Sequence, residues 1–310
     1  MSHLRYSKRG YIRSLQMSRK DIFAFVEGWS DRYFYDRVCE VGCAGIGLAP
    51  EVRTASELPG GTGGKQALVE FFLYLRRAKL LLHNFLGKKL AIVFFVDKDI
   101  DDILKIQKRS HHFIYTEHYH LENYFYLNTN ICETAAVVSA LDLHSVEGVI
   151  GNQQAWMQRA ATEWKEWVKL CTVARLLRVA GIYNFSVTSR VHAGPYQPLN
   201  TGQLAAFIGQ LQVASGLSPL QFKRRIDRVS ALIDRIYATG QHDRVFKGSW
   251  YGGFLSLDLK SAAGGRAYNA NGIEERVKTA ALAKLDFTQP WAEYFTNSVS
   301  SLAHALQQMI

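Results

Sequence analysis

Long apolar runs are missing from this 310-residue chain. None approaches the roughly 18 to 20 residues that a membrane span requires, and the N-terminus lacks the apolar stretch of a signal peptide. A cytoplasmic protein with no membrane partner is therefore expected. Cysteine is scarce as well. The four residues Cys39, Cys43, Cys132 and Cys171 are too few for a disulfide framework, and Cys39 and Cys43 lack the second Cys or His pair of a zinc site, so inert thiols are expected. No internal repeat and no low-complexity linker divides the chain. Acid is outnumbered: 27 Asp and Glu against 37 Lys and Arg leave a net charge of +10, a field that favours polyanionic partners without naming one.

What is present is enough apolar material, 48% of residues, to bury a core in two domains or in one elaborated one. Residues 1–20 carry six Lys or Arg and no acid, and read as a basic arm. From 21 to 131 strand-like and helix-like stretches alternate. Ile22–Val26 is a short β-prone run, a helix is expected after Gly28, residues 49–55 suggest another strand, and Leu90–Val96 a third. Between them PGGTGGKQALVEFFLYLRRAKLLL reads as a glycine loop opening a long amphipathic helix. The fold class expected for 21–131 is α/β, a mainly parallel sheet flanked by helices. From 132 to 310 helical periodicity takes over, and a mostly α-helical region is expected. Its Trp156, Trp164 and Trp167 suit a core or an interface with a second copy or another protein.

The chemistry gathers where two apolar runs end in acid: IFAFV runs into Glu27 and LAIVFFV into Asp97. In open parallel sheets ligands bind beyond the carboxyl ends of the strands. Along an extended chain Asp97 and Asp99 share a side that Lys98 avoids, and Glu27 joins them if the two strands are neighbours, about 4.8 Å apart. Carboxylates so close repel unless a proton or cation intervenes. Magnesium suits such an edge, because it binds through one or two carboxylates, waters and substrate phosphates. The stretch DKDIDDILKIQK lacks the central Gly and closing Glu of a calcium EF-hand. Asp101 and Asp102 are expected to start the next helix.

Downstream, YTEHYHLENYFYL places Glu122 and Asn123 after a further strand. The set VEGWSDRYFY, FFVDKDIDD and T-x-x-Y-x-LENY resembles the Toprim-like domains of the OLD-related nuclease group, and more narrowly the Toprim effectors paired with an ABC-type ATPase in PARIS-type anti-phage defence. The resemblance covers roughly residues 20 to 130. It implies a Toprim-like fold there and a metal-dependent endonuclease using Mg²⁺ or Mn²⁺, with Glu27, Asp97, Asp99 and Glu122 as catalytic and metal-binding carboxylates. Asp31 matches an acid that often follows the EG turn, although a charge favouring the first helical turn explains it equally well. The resemblance further implies a toxic effector of abortive infection, held inactive by its ATPase and released upon infection, with RNA such as tRNA as substrate. A DNA-nicking enzyme of the same chemistry and a non-catalytic regulatory module with a vestigial acidic edge are the alternatives.

Three other signals carry less. GGTGGK fails as a phosphate loop, since Pro59 stands where its first Gly belongs and Gln66 replaces the Ser or Thr that holds magnesium. His111, His112, His118 and His120 cluster near the acidic edge, where surface placement, a proton shuttle or transition-metal binding is conceivable. Residues 221–250 hold seven Lys or Arg against three Asp. Lys223, Arg224, Arg225 and Arg228, with His242 and Lys247 in the following loop, are the candidates for contacting nucleic-acid phosphates, unless this is the solvated face of an amphipathic helix.

Overall fold

The computed structural model describes residues 7–309 except 62, 180, 183, 266, 267 and 269. The expected strands form β1 (Ile22–Val26), β2 (Pro50–Thr54), β4 (Lys88–Val96) and β5 (Phe113–Tyr115), and β3 (Leu82–Phe85) joins them. The sheet order is β2-β1-β4-β3, with β5 pairing the far end of β4. Contacts β1–β2, β1–β4 and β4–β5 are parallel, while β3–β4 is antiparallel. The architecture is thus α/β with a mainly parallel sheet.

The stretch expected to be helix runs to Leu82, and β3 begins at that residue and continues into a segment for which no element is expected. Its signal is the two-residue loop Leu86-Gly87, both at positive φ, which closes a tight hairpin and which Asn84 reinforces by accepting the Gly87 N–H at 3.0 Å. The helix itself stops at Ala78, where Lys79 turns left-handed.

Two compact units result, and they do not follow chain order. One comprises residues 1–98, 107–116 and 286–310, the other residues 99–106 and 117–285. This differs from a linear division at 20 and 131.

In the sheet unit, helices α1 (Lys8–Met17), α2 (Trp29–Gly42) and α3 (Gly64–Ala78) flank the strands together with the C-terminal helix, Glu293–Gln308. Alternation along β4 assigns the faces. Phe94 packs near Phe71 and Phe72 of α3, whereas Phe95 stacks on Tyr35 of α2 at 4.4 Å and lies 6.3 Å from Phe295. Burial on both faces explains why β4 is an unbroken apolar run. The expected basic arm is largely helix α1, which buries Tyr11, Ile12 and Leu15 in the core while its Lys and Arg point outward; residues 1–6 lie outside the described residues. The C-terminal helix belongs to this unit because Phe295, Val299, Leu302 and Leu306 make one apolar stripe against the sheet side of α2. Gly42 permits that approach. A Cβ there would stand 2.7 Å from Val299 Cβ and 2.8 Å from the Thr296 carbonyl oxygen.

The described residues of the other unit are mostly helical, as expected. It holds α4 (Asp101–Leu104), α5 (Glu122–Asn128), α6 (Ile131–Ser139), α7 (Leu143–Ile150), α8 (Gln153–Glu163), α9 (Lys165–Leu177), α10 (Thr201–Ser215), α11 (Pro219–Ala238), α12 (Gly248–Ala262) and α13 (Ile273–Lys284). Trp156, Trp164 and Trp167 are fully buried core residues, so they are not available to an interface. Trp156 donates its indole N–H to Asp258 at 2.6 Å, and Trp164 stacks on His192 at 4.3 Å.

Candidate active site

Glu27 and Asp97 stand directly after β1 and β4, which are adjacent and parallel with Ile22 opposite Ala91 and Phe25 opposite Phe94. The neighbour condition set by the sequence is met. The Asp97 N–H donates to Glu27 Oε1 at 2.9 Å, so the glutamate folds across the strand end. Lys65, the first-turn residue of α3, donates its ammonium to the Asp97 carbonyl at 2.6 Å. The glycine loop thus delivers a cation to the acidic edge. Lys98 points away and is buried, its N–H bonded to Thr116 Oγ1 at 2.8 Å, while the Thr116 N–H extends the β4–β5 ladder to the Val96 carbonyl at 3.0 Å. The Thr of the T-x-x-Y motif therefore splices two strand ends.

Asp31 serves α2. Its Oδ2 accepts the Gly28 N–H at 3.0 Å and its Oδ1 the Ser30 hydroxyl at 3.0 Å, satisfying donors that a helix start leaves open. Of its two readings, the helical-turn role is the one the hydrogen bonds support.

In the helical unit Asp99 takes a left-handed conformation, φ 52°, which aspartate tolerates better than most residues. Its N–H bonds the Tyr119 carbonyl at 2.8 Å. His120 then stands between two carboxylates, Nε2 3.4 Å from Asp99 Oδ1 and Nδ1 3.2 Å from Glu122 Oε2. Lys278 of α13 approaches Glu122 Oε1 at 3.2 Å. Burial alone would raise the Glu122 carboxyl, but the His120 hydrogen bond and the charges of His120 and Lys278 outweigh it and hold the group down at about 2.

Asn123 anchors this turn. Fully buried, it donates to Asp243 Oδ1 at 2.9 Å and to the Phe246 carbonyl at 3.1 Å, and accepts the His120 N–H at 3.1 Å. Asp243 also accepts the Tyr251 hydroxyl at 2.8 Å, and its carbonyl takes the Tyr119 N–H at 2.7 Å. Gly248 completes the lock, since a Cβ there would lie 2.4 Å from the Asn123 nitrogen. Sequence reasoning overlooked Asn123, Asp243, Gly248 and Lys278 as parts of the site. An acid inside a basic stretch was a usable signal for Asp243; Lys278 offered none.

The four carboxylates thus fall into two pairs, Glu27 with Asp97 in the sheet unit and Asp99 with Glu122 in the helical one. Among the described residues no group of three or more His, Cys, Asp and Glu side chains is arranged to hold a metal ion. The sheet pair nonetheless suits magnesium in donor type and number, being two oxygen ligands at a strand edge. The histidines fall in different units. His111 and His112 precede β5 in the sheet unit, His112 Nδ1 lying 2.7 Å from the Ile92 carbonyl, whereas the His118 ring packs 4.7 Å from Tyr124 in the other unit.

The phosphate-contact candidates also divide. Lys223, Arg224, Arg225 and Arg228 are exposed on α11, with Lys223 paired to Asp227 at 2.7 Å. His242 is 7% exposed and lies 3.5 Å from Asp243, so burial removes it from any phosphate-contacting surface. Lys247 is half-buried as the residue that precedes α12. All four cysteines are buried free thiols, as expected. Among the described residues no helix is long and apolar enough to cross a membrane. No protein-family model matches the chain, and no curated protein is significantly similar to it.

Proposed function

We propose that this chain is a Toprim-type metal-dependent endonuclease, with RNA such as tRNA as its substrate. The observation that carries the reading is the placement of Glu27 and Asp97 at the carboxyl ends of two adjacent parallel strands, linked by the 2.9 Å bond from the Asp97 N–H to Glu27. A Mg²⁺ or Mn²⁺ ion held by these carboxylates would supply charge stabilisation and an activated water for phosphodiester hydrolysis. The chain's own residues prepare the edge: β1 and β4 fix the separation of the two acids, and Lys65 orients the Asp97 main chain. Asp99 and Glu122 enter the proposal through the sequence motif. The biological role that goes with this reading is a toxic anti-phage effector restrained by an ABC-type ATPase and active, once released, as a homodimer.

A second reading has one observation in its favour. Glu122 is already met by His120 and Lys278, as the side chain of a non-catalytic module with a vestigial acidic edge would be.

Purified protein incubated with labelled RNA and with plasmid DNA, in Mg²⁺ or Mn²⁺ and then in EDTA, separates these readings. RNA cleavage that needs metal and falls at least about 100-fold in Glu27→Ala, beyond the loss typical of a residue that only supports a metal ligand, is the expected result. Plasmid nicking without RNA cleavage would move the substrate to DNA. Full activity in both Glu27→Ala and Asp97→Ala would remove the mechanism, and an unchanged cellular effect in Glu27→Ala would favour the binding module.

A further inference from the structure

The helical unit contains a cleft of about 430 Å³ formed by α4, α11 and the turn that follows α11. Its floor includes Leu232 and Ile236, and its walls carry Lys105, Arg235 and Arg244 against the single carboxylate of Asp102. Arg244 is held in place from two sides, donating to Asp102 Oδ2 at 2.9 Å and to Gln241 Oε1 at 3.0 Å. A guanidinium has five N–H donors, so these bonds leave others for a ligand. Lys105 and Arg235 are exposed and have no carboxylate partner among the described residues. Arg235 and Arg244 belong to the basic stretch 221–250 but not to its named phosphate-contact candidates, and Lys105 lies outside that stretch.

Cations converging around a concave apolar floor, with one guanidinium already oriented, match a particular chemistry. An acidic protein segment would satisfy the charge but leave the floor without a counterpart of fixed shape. A nucleotide of an unpaired strand satisfies both: its phosphates meet Arg235, Lys105 and Arg244, and its base or ribose covers Leu232 and Ile236. Unstacked bases are taken up against apolar side chains and arginine planes in this way. The geometry points to this cleft as a binding site for the phosphodiester backbone of an unpaired nucleic-acid strand. The assignment rests on the nucleic-acid reading above and adds the surface that holds the strand. Asp102 lies three residues beyond Asp99 in the chain and in the same unit.

The test is fluorescence anisotropy of the full chain with a labelled unpaired oligoribonucleotide in EDTA, which separates binding from cleavage. Arg235→Ala and Lys105→Ala should each weaken binding at least about fivefold and reduce the salt slope by roughly 0.7, the value for one phosphate contact on a single strand. Arg159→Ala, which removes the same charge from an exposed position on α8 outside the cleft, should change affinity less than about twofold. Arg235→Lys should retain most of the affinity, and melting curves of all variants should match the parent. Equal losses in the Arg159→Ala control, or no loss in either cleft variant, would overturn the assignment. So would competition by inorganic phosphate or by polyglutamate as effective as by unlabelled oligonucleotide at equal charge. Selective binding without any metal-dependent cleavage would keep the cleft and sink the nuclease. Cleavage with unaltered binding in Arg235→Ala would do the reverse.

Discussion

Glu27 and Glu122 are both half-buried glutamates at the edge of regular structure, yet they are held by different means. Glu27 follows a strand and accepts a main-chain N–H from the residue that ends the neighbouring strand. Its place is a consequence of sheet register. Glu122 opens α5 and is met by side chains, His120 two residues away and Lys278 on α13. The turn that presents it hangs on Asn123 and Asp243, buried polar groups more than a hundred residues apart in sequence. A carboxylate positioned by backbone tolerates much substitution around it. One positioned by a buried polar network depends on every member, because any unpaired partner carries a desolvation cost of about 1–3 kcal/mol.

The largest effect that separates the two arrangements should come from Gly248→Ala. The new Cβ meets main chain, 2.4 Å from the Asn123 nitrogen and 2.8 Å from the Glu122 carbonyl carbon, so the turn itself must shift. A loss of about 3 kcal/mol is expected in urea unfolding, at the upper end of overpacking costs. Gly42→Ala is the counterpart in the sheet unit, where the Cβ meets Val299 and the Thr296 carbonyl of the C-terminal helix. Here about 2 kcal/mol is expected, with Glu27 left in register, since neither β1 nor β4 contributes to that contact. Equal and small losses in both would show that the turn at 120–123 is no more constrained than a helix crossing.

A smaller effect tests the electrostatics. The Glu122 carboxyl is held at about 2, below its ordinary 4.5, so the folded state binds fewer protons there than the unfolded state. The stability it contributes is fully present above about pH 4.5 and is lost as the pH falls towards 2. Glu122→Gln should therefore flatten the fall of Tm across this window. Parallel Tm curves for the two proteins would mean that His120 and Lys278 do not act on Glu122 as described.

The smallest concerns His192, a buried titratable group in the same unit without such partners. It stacks against Trp164, neither ring nitrogen has a hydrogen-bond partner among the described residues, and burial pushes its pKa down to about 4 from 6.5. The unfolded state binds the proton first, so stability falls as pH drops from 6.5 towards 4 and is unaffected above. His192→Phe should remove that slope and, by eliminating unsatisfied nitrogens, raise stability at neutral pH by about 1 kcal/mol. Comparing Tm at pH 5 and pH 7.5 checks both statements. The two acid-sensitive windows differ because half-buried Glu122 has counter-charges beside it, whereas His192 is buried and its pKa is moved by burial alone.

Much of the sheet unit was legible in the chain. Ile22–Val26 and Leu90–Val96 are apolar runs of strand length that stop at an acid, and both became central strands with Glu27 and Asp97 at their ends. The helical character of the second half was equally legible, because periodicity is a local property. Strand β3 was not, since four residues of mixed polarity follow a helix without a break stronger than Lys79. Helix α1 was hidden by the charge around it: three buried residues, Tyr11, Ile12 and Leu15, decide its packing, while the six cations of residues 1–20 dominate that stretch.

The sequence by itself determined which segments are strand or helix and which residues end the strands, because burial periodicity and turn chemistry act over a few neighbours. Only the tertiary structure decided that β1 lies beside β4, that the C-terminal helix joins the sheet unit, and that His120, Lys278 and Asp243 surround the turn of Glu122. Partners such as Lys278 and Asp243 are chosen by shape and charge across more than a hundred residues of chain. No spacing in the sequence records that choice, since it is made when the packed faces exclude water and leave each buried polar group one place to go.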